Sequence, residues 1–217
     1  MIQDTQTVRD IALALPGATA VLRGFKIDFC CNGQAPLAEA VARRGLDIDR
    51  VKAALEALEA APEPAPTSVP DLIDHILSRY HVVHMAEFPE AIRMARRVEA
   101  VHRERSDCPA GLADHLAFMA DDLAGHQNKE EQVLFPMMLA GGSPMISMPI
   151  GRMMAEHLDV GAQLEELARL TTDFTPPPQA CTTWRALYNA CAKLDADLRE
   201  HMHLENNVLF PAFLSET

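Results

Sequence analysis

The sequence predicts an all-α protein, an up-down-up-down four-helix bundle with a small helical N-terminal domain. Three observations carry that expectation. Apolar residues recur at alternating steps of three and four through much of the chain, the period of a helix with one buried stripe. The phrase H-x3-E-x2-V-L-F-P occurs twice, from His126 to Pro136 and from His201 to Pro211, an offset of 75 residues that points to duplicated architecture. Proline and glycine clusters, which end helices, divide the rest of the chain into segments long enough to be bundle rods.

The segments follow in chain order. Residues 1–60 read as a separate domain of short helices, the clearest of them from Asp47 to Leu58. Alternating prolines make residues 61–67 a stiff, extended linker, and residues 68–217 form the bundle. Thr67 or Ser68 caps a first rod starting near Pro70, a residue that a first turn tolerates; Pro89 is expected to interrupt and kink this rod. Its stripe runs through Leu77, His81, His84, Phe88, Ala91, Ala95 and Val98. The second rod, roughly Pro109 to Leu139, carries Leu112, Leu116, Met119, Leu123, His126, Glu130, Val133 and Met137 on one face. After a turn at Gly141-Gly142, the third runs from Met148 to Thr171 with Ile150, Met153, His157, Val160, Leu164 and Leu167 inward. A loop at Pro176 to Pro178 leads to the fourth, about Ala180 to Ala212, whose stripe is Trp184, Leu187, Cys191, Leu194, Leu198, His201, Glu205, Val208 and Ala212.

Every rod thus places a histidine on its buried stripe, and two add a glutamate one turn later on the same face. In the first rod, phase alone leaves His81 and His84 equivalent. An ionised carboxylate removed from water costs several kcal/mol unless it is paired or bound to metal, and two would share this core. At ~1.5 Å rise per residue, the candidate ligands of the last three rods fall at similar heights, to within about two turns. A cluster of four imidazoles and two carboxylates disfavours structural zinc, which is often rich in cysteine, and the all-oxygen sites of calcium and magnesium. It suits a dinuclear iron site, with manganese the weaker option. The Glu-x2-His order of ferritin-like carboxylate proteins is matched here only by Glu99 to His102, which argues against that arrangement. His75, His102, His115 and His203 are assigned to the surface or to a supporting shell.

Charge and composition exclude other classes. A formal net charge of -12 and a pI near 5.1 disfavour binding to a phosphate backbone, so no nucleic-acid partner is expected. Met1 to Asp10 is polar and carries no signal-peptide core; the uncharged run from Gln132 to Gly151 is broken by Gly141-Gly142-Ser143-Pro144 and Pro149. Neither export nor a membrane span is expected, and the location is cytoplasmic. The adjacent Cys30 and Cys31 can bind metal, take part in thiol chemistry or simply pack. Cys108, Cys181 and Cys191 lack ligand spacing and are read as structural or incidental, so the five cysteines make no disulfide framework.

Taken together, these motifs resemble the iron-sulfur cluster repair di-iron proteins, also called repair of iron centres proteins. Asp28-Phe29-Cys30-Cys31 with Gly33 looks like that family's cysteine motif. Tyr80-His81-Val82-Val83-His84, His126-x3-Glu130-Glu131, Glu156-His157 and His201-x3-Glu205-Asn206-Asn207 look like its hemerythrin-type core. One departure is Asn32, where better known members often carry glycine. The resemblance implies His81 as the ligand of the first rod. The metal set becomes His81, His126, Glu130, His157, His201 and Glu205, with both glutamates bridging two iron ions through which an oxo or hydroxo bridge also runs. His84 and Glu156 would then support the ligands or handle protons, and Cys30 and Cys31 would form a thiol motif. The function implied is repair of iron-sulfur clusters damaged by nitric oxide or oxidants, by a factor that supplies iron to damaged or apo iron-sulfur proteins rather than acting as an enzyme. The alternatives are a nitric oxide reductase and a sensor that binds nitric oxide or oxygen. Pairing into a homodimer is left open.

Overall fold

The computed structural model describes residues 2–58 and 68–214, so the proline-rich linker expected at 61–67 lies outside the described residues. All regular structure among the described residues is helical, apart from an isolated antiparallel bridge between Thr7 and Pro36. The chain packs as two compact units, one drawn from the described residues of Met1–Leu72 and Arg199–Thr217, the other from Ile73–Leu198.

In the first unit, four short helices enclose a small apolar core. Helix α1 (Val8–Ala14) starts where Thr7 Oγ1 accepts the Asp10 amide at 3.0 Å, satisfying one of the amides that a first turn leaves open. Gly17 adopts φ +84°, a left-handed conformation that leads directly into α2 (Ala18–Gly24). Helices α3 (Leu37–Arg43) and α4 (Ile48–Glu56) follow, the latter capped by Asp47, which accepts the Asp49 amide at 2.9 Å. Val8, Ile11, Leu22, Phe29, Leu37, Val41, Val51 and Leu55 form the core between them.

The up-down-up-down bundle runs from Val69 to Phe213, and its part between Ile73 and Leu198 makes up the second unit. Its first rod joins α5 (Val69–Ile76), a π-helical turn (Leu77–His81) and α6 (Val82–His102). Ser68 Oγ accepts the Asp71 amide at 3.3 Å at the start of α5. The second rod joins α7 (Leu112–Lys129), a second π turn (Glu130–Leu134) and α8 (Phe135–Leu139); the third is α9 (Ser147–Leu170). The last is α10 (Thr182–Leu204), followed by a third π turn (Glu205–Leu209) and a 3-10 turn (Phe210–Phe213). Helix α7 packs on both α6 and α9. Helix α10 is joined to the first rod by Lys193 on Glu87 at 2.8 Å, by a two-pronged Arg79–Asp197 pair at 2.9 and 3.1 Å, and by the His102 ring 5.0 Å from that of Trp184. The first rod corrects the expected interruption, because α6 runs unbroken through Pro89. Proline withholds an amide from the carbonyl four residues back, here Met85; both residues lie on the exposed side, away from the packed face of the rod.

The three π turns also shift the register of the stripes. In each, the amide just beyond the turn bonds the carbonyl five residues earlier: Val82 to Leu77, Phe135 to Glu130, and Phe210 to Glu205. That extra residue rotates everything beyond it by about 100°. Val133, expected inside, is 51% exposed, while Leu134, Phe135 and Met138 are buried in its place. The second copy behaves alike, with Leu209 and Phe210 buried, Val208 only half-buried and Ala212 exposed.

Candidate metal centre

Within Ile73–Leu198 the candidate ligands gather on Glu130, a carboxylate with no exposed surface. Its Oε1 lies 3.2 Å from His126 Nε2, and its Oε2 lies 3.5 Å from His81 Nε2. His157 Nε2 faces His126 Nε2 at 3.1 Å. His126, Glu130 and His157 offer ligand atoms that all lie within 4.8 Å of one another. The second repeat, within the other unit, reproduces the local pairing, with His201 Nε2 3.1 Å from Glu205 Oε1 and both side chains buried. In both copies the glutamate is the first residue of a π turn, so the same backbone widening recurs where the carboxylate leaves the helix.

The outer nitrogens show what the inner ones are for. His81 Nδ1 lies 2.8 Å from Glu131 Oε1, and His126 Nδ1 lies 2.9 Å from Glu156 Oε2. A carboxylate on Nδ1 holds the proton there, which assigns a lone pair to each Nε2. Those lone pairs face the Glu130 oxygens, themselves acceptors, an arrangement that becomes attractive when a proton or a metal ion lies between them. Two donors bound at right angles to one ion at ~2.1 Å stand about 3 Å apart, close to the 3.1 and 3.2 Å separations seen here. The residues therefore fit a metal ion. Because Glu130 turns its two oxygens toward different imidazoles, its geometry also suits a carboxylate shared between ions.

Glu156 is itself held on three sides, by His126, by Lys129 Nζ at 2.6 Å and by Arg152 Nε at 2.6 Å. Burial favours its protonated form and pushes its pKa up, yet the hydrogen bonds from Lys129, His126 and Arg152 outweigh it and hold the carboxyl at about 2. His84 is fully buried, with Nδ1 3.4 Å from Gln127 Nε2 and its ring 6.0 Å from that of Tyr80. Two supporting residues, Glu131 and Gln127, were missed in the sequence. Glu131 carried a signal, since it follows Glu130 directly and the π turn swings it toward His81; Gln127 carried none.

The cysteine turn lies in the same unit as the last π turn. Asn206 Nδ2 donates to the Cys30 carbonyl at 3.0 Å, and Asn207 Nδ2 to those of Phe29 and Cys30, both at 3.2 Å. Arg9 Nη2 donates to the Asn207 carbonyl at 3.0 Å. His203, beside them and only 2% exposed, packs edge-on against Phe29; burial drives its imidazole down to about 4 despite the Phe29 carbonyl, so it is neutral near pH 7. Of the remaining cysteines, Cys191 is fully buried and pushed up to about 12 by burial, in keeping with a packing role. Among the described residues, no helix is long and apolar enough to cross a membrane.

Comparison with known proteins places this geometry in context. The family described as hemerythrin HHE cation binding domain matches residues 72–213, and a domain family of unknown function matches residues 4–59. Among similar proteins is the iron-sulfur cluster repair protein YtfE of Dickeya chrysanthemi (strain Ech1591), 46% identical over 213 residues that cover 96% of each chain. The protein of the same name from Musicola paradisiaca (strain Ech703) is 45% identical over 215 residues, again 96% of each. That from Escherichia coli O1:K1 / APEC is 43% identical over 213 residues, 97% of each.

Proposed function

Because the chain belongs to the iron-sulfur cluster repair family with a hemerythrin HHE cation binding domain, we propose that it restores damaged iron-sulfur clusters using a di-iron centre. The proposed ligands are His81, His126, Glu130, His157, His201 and Glu205, with the two glutamates shared between the ions. The observation that carries the reading is that His81 Nε2 and His126 Nε2 both point at the buried Glu130 while each Nδ1 meets another carboxylate. Iron so held, expected as an oxo- or hydroxo-bridged pair, would be supplied to a damaged or apo iron-sulfur protein in the cytoplasm, with nitric oxide or oxygen as the small ligand.

The chain's own residues set how tightly that iron is kept. Glu131 and Glu156 orient the imidazoles and raise their basicity, which strengthens binding. Ligand protonation works the other way, since imidazole and carboxylate must both be deprotonated to bind, so iron is released as pH falls. Metal analysis with Mössbauer spectroscopy tests the centre: two coupled iron ions per chain are expected in the wild type. His157→Ala should lower bound iron while the far-ultraviolet circular dichroism keeps most of its helical signal. A repair assay then follows the activity of a nitric oxide-damaged [4Fe-4S] enzyme. The iron-loaded protein should restore activity and lose iron in step, and recovery without iron loss would overturn supply by this centre.

A further inference from the structure

The turn that carries Cys30 and Cys31 takes no part in the proposed iron centre, yet its side chains are arranged like a chelate. Asp28 Oδ1 accepts the amides of Cys30 at 3.1 Å and Cys31 at 2.9 Å, and lies 3.3 Å from Cys30 Sγ. Asn32 Nδ2 fixes the other oxygen of Asp28 at 2.6 Å. The two sulfurs stand 3.6 Å apart, and one Asp28 oxygen and both sulfurs lie within 4.8 Å of one another. An ion held tetrahedrally at ~2.3 Å from sulfur and ~2.0 Å from oxygen requires S···S about 3.8 Å and O···S about 3.5 Å. The turn meets both spacings to within a few tenths of an ångström.

One cation, Arg199, acts on this cluster and lowers the Cys30 thiol, but by less than its other neighbours raise it. A hydrogen bond from Cys31, burial, and the nearby charges of Cys31 and Asp28 push the Cys30 thiol well above its ordinary range. The two sulfurs cannot both ionise cheaply unless a cation joins them. Access is one-sided: Cys30 is 2% exposed, whereas Cys31 and Asp28 are half-buried. Behind the turn, Asn206 directs its amide to the Cys30 carbonyl and toward Cys31 Sγ at 3.9 Å, which supports negative charge on that sulfur. Gly33 keeps the loop tight, because a Cβ there would lie 2.7 Å from the Phe29 carbonyl oxygen.

We propose that Asp28, Cys30 and Cys31 form a second metal site, which takes one thiophilic divalent d-block ion through two thiolates and a carboxylate, with solvent completing the shell. Binding releases the thiol protons to solvent and leaves the ion's oxidation state unchanged. Such a site differs from the imidazole-carboxylate centre in softness and exposure, and its ion exchanges directly with solvent. Asn206 follows the proposed ligand Glu205, so an ion in the turn sits one hydrogen bond from the backbone of the last π turn. The proposal does not depend on the repair reading.

The test uses the full-length protein loaded with iron and reduced with a phosphine, titrated with Co2+. Near-ultraviolet thiolate-to-cobalt charge transfer should saturate at about one ion per chain, vanish in Cys30→Ser and Cys31→Ser, and weaken at least 10-fold in affinity in Asp28→Asn. Absence of that band in the wild type, or its persistence in both serine variants, overturns the proposal. A measurement on the unaltered chain guards against variants that fail to fold. Saturating Zn2+ should slow alkylation of Cys31 at least 10-fold by peptide mapping, while Cys108 and Cys181 react at unchanged rates; an unchanged rate at Cys31 overturns the site.

Discussion

At the scale of single residues, the decisive contacts are those on the outer edge of each imidazole. His126 is clamped by Glu156, and Glu156 is clamped by Lys129 and Arg152, so removal of one carboxylate loosens both the tautomer and the direction of Nε2. Outer partners of this kind contribute about 10–100-fold to metal affinity. Glu156→Ala should therefore weaken iron binding by roughly that factor, with Glu156→Gln, which keeps an acceptor but no charge, falling between it and the wild type. Competition against a chelator of known affinity measures the series, and equal affinities would reduce Glu156 to a partner of surface cations. Gly33 offers a second residue-scale prediction. Its missing side chain leaves no room for a Cβ between the Phe29 carbonyl and Arg9, so Gly33→Ala should destabilise the fold by about 1–3 kcal/mol in denaturant unfolding.

At the scale of elements, the π turns explain both what the sequence revealed and what it concealed. The rods and their inward histidines were legible because steps of three and four persist without a break up to each proposed ligand. Beyond Glu130 and Glu205 the same counting placed Val133 and Val208 inside, whereas Leu134 and Leu209 are the buried residues. A single inserted residue has no compositional signature, and V-L-F-P supplies apolar side chains for either register. Pro89 misled for a related reason, since a proline on an exposed face costs a helix little of its packing. Deleting Val133 should convert the second π turn to regular α-helix, bring Leu134 and Met138 into α register with Glu130, and re-aim that carboxylate. Helical content should stay within a few per cent while metal affinity drops at least ~10-fold; retained affinity would separate the π turn from ligand placement. The pairing of α10 with the first rod gives a pH prediction. Burial pushes the Asp197 carboxyl up, but hydrogen bonds from Arg79 and Lys193 outweigh it and lower it overall. Its stabilisation is complete above its unfolded value near 3.8 and is lost as pH falls through the lower folded value. Asp197→Asn should cost about 1–2 kcal/mol at pH 7, screened by partial exposure, and flatten the stability profile below pH ~4.

At the scale of the whole molecule, folding and metal binding are linked, because the groups proposed to hold iron are also buried polar groups of the fold. Imidazole lone pairs facing Glu130 raise the energy of the metal-free fold, and a bound cation reverses the sign of that interaction. A ligand present at about a thousand times its dissociation constant stabilises the native state by ~4 kcal/mol. For a chain of this size, one kcal/mol moves the melting temperature by about 2–4 °C, so chelation should lower it by on the order of 10 °C. The difference should shrink as pH falls toward 5, since protons on the same nitrogens and oxygens then occupy the place of the ion. Differential scanning calorimetry of matched iron-loaded and chelated samples across that pH range measures it. Two samples melting together at pH 7 would mean that the buried histidines and glutamates satisfy one another without metal, and the proposed centre would lose its physical basis.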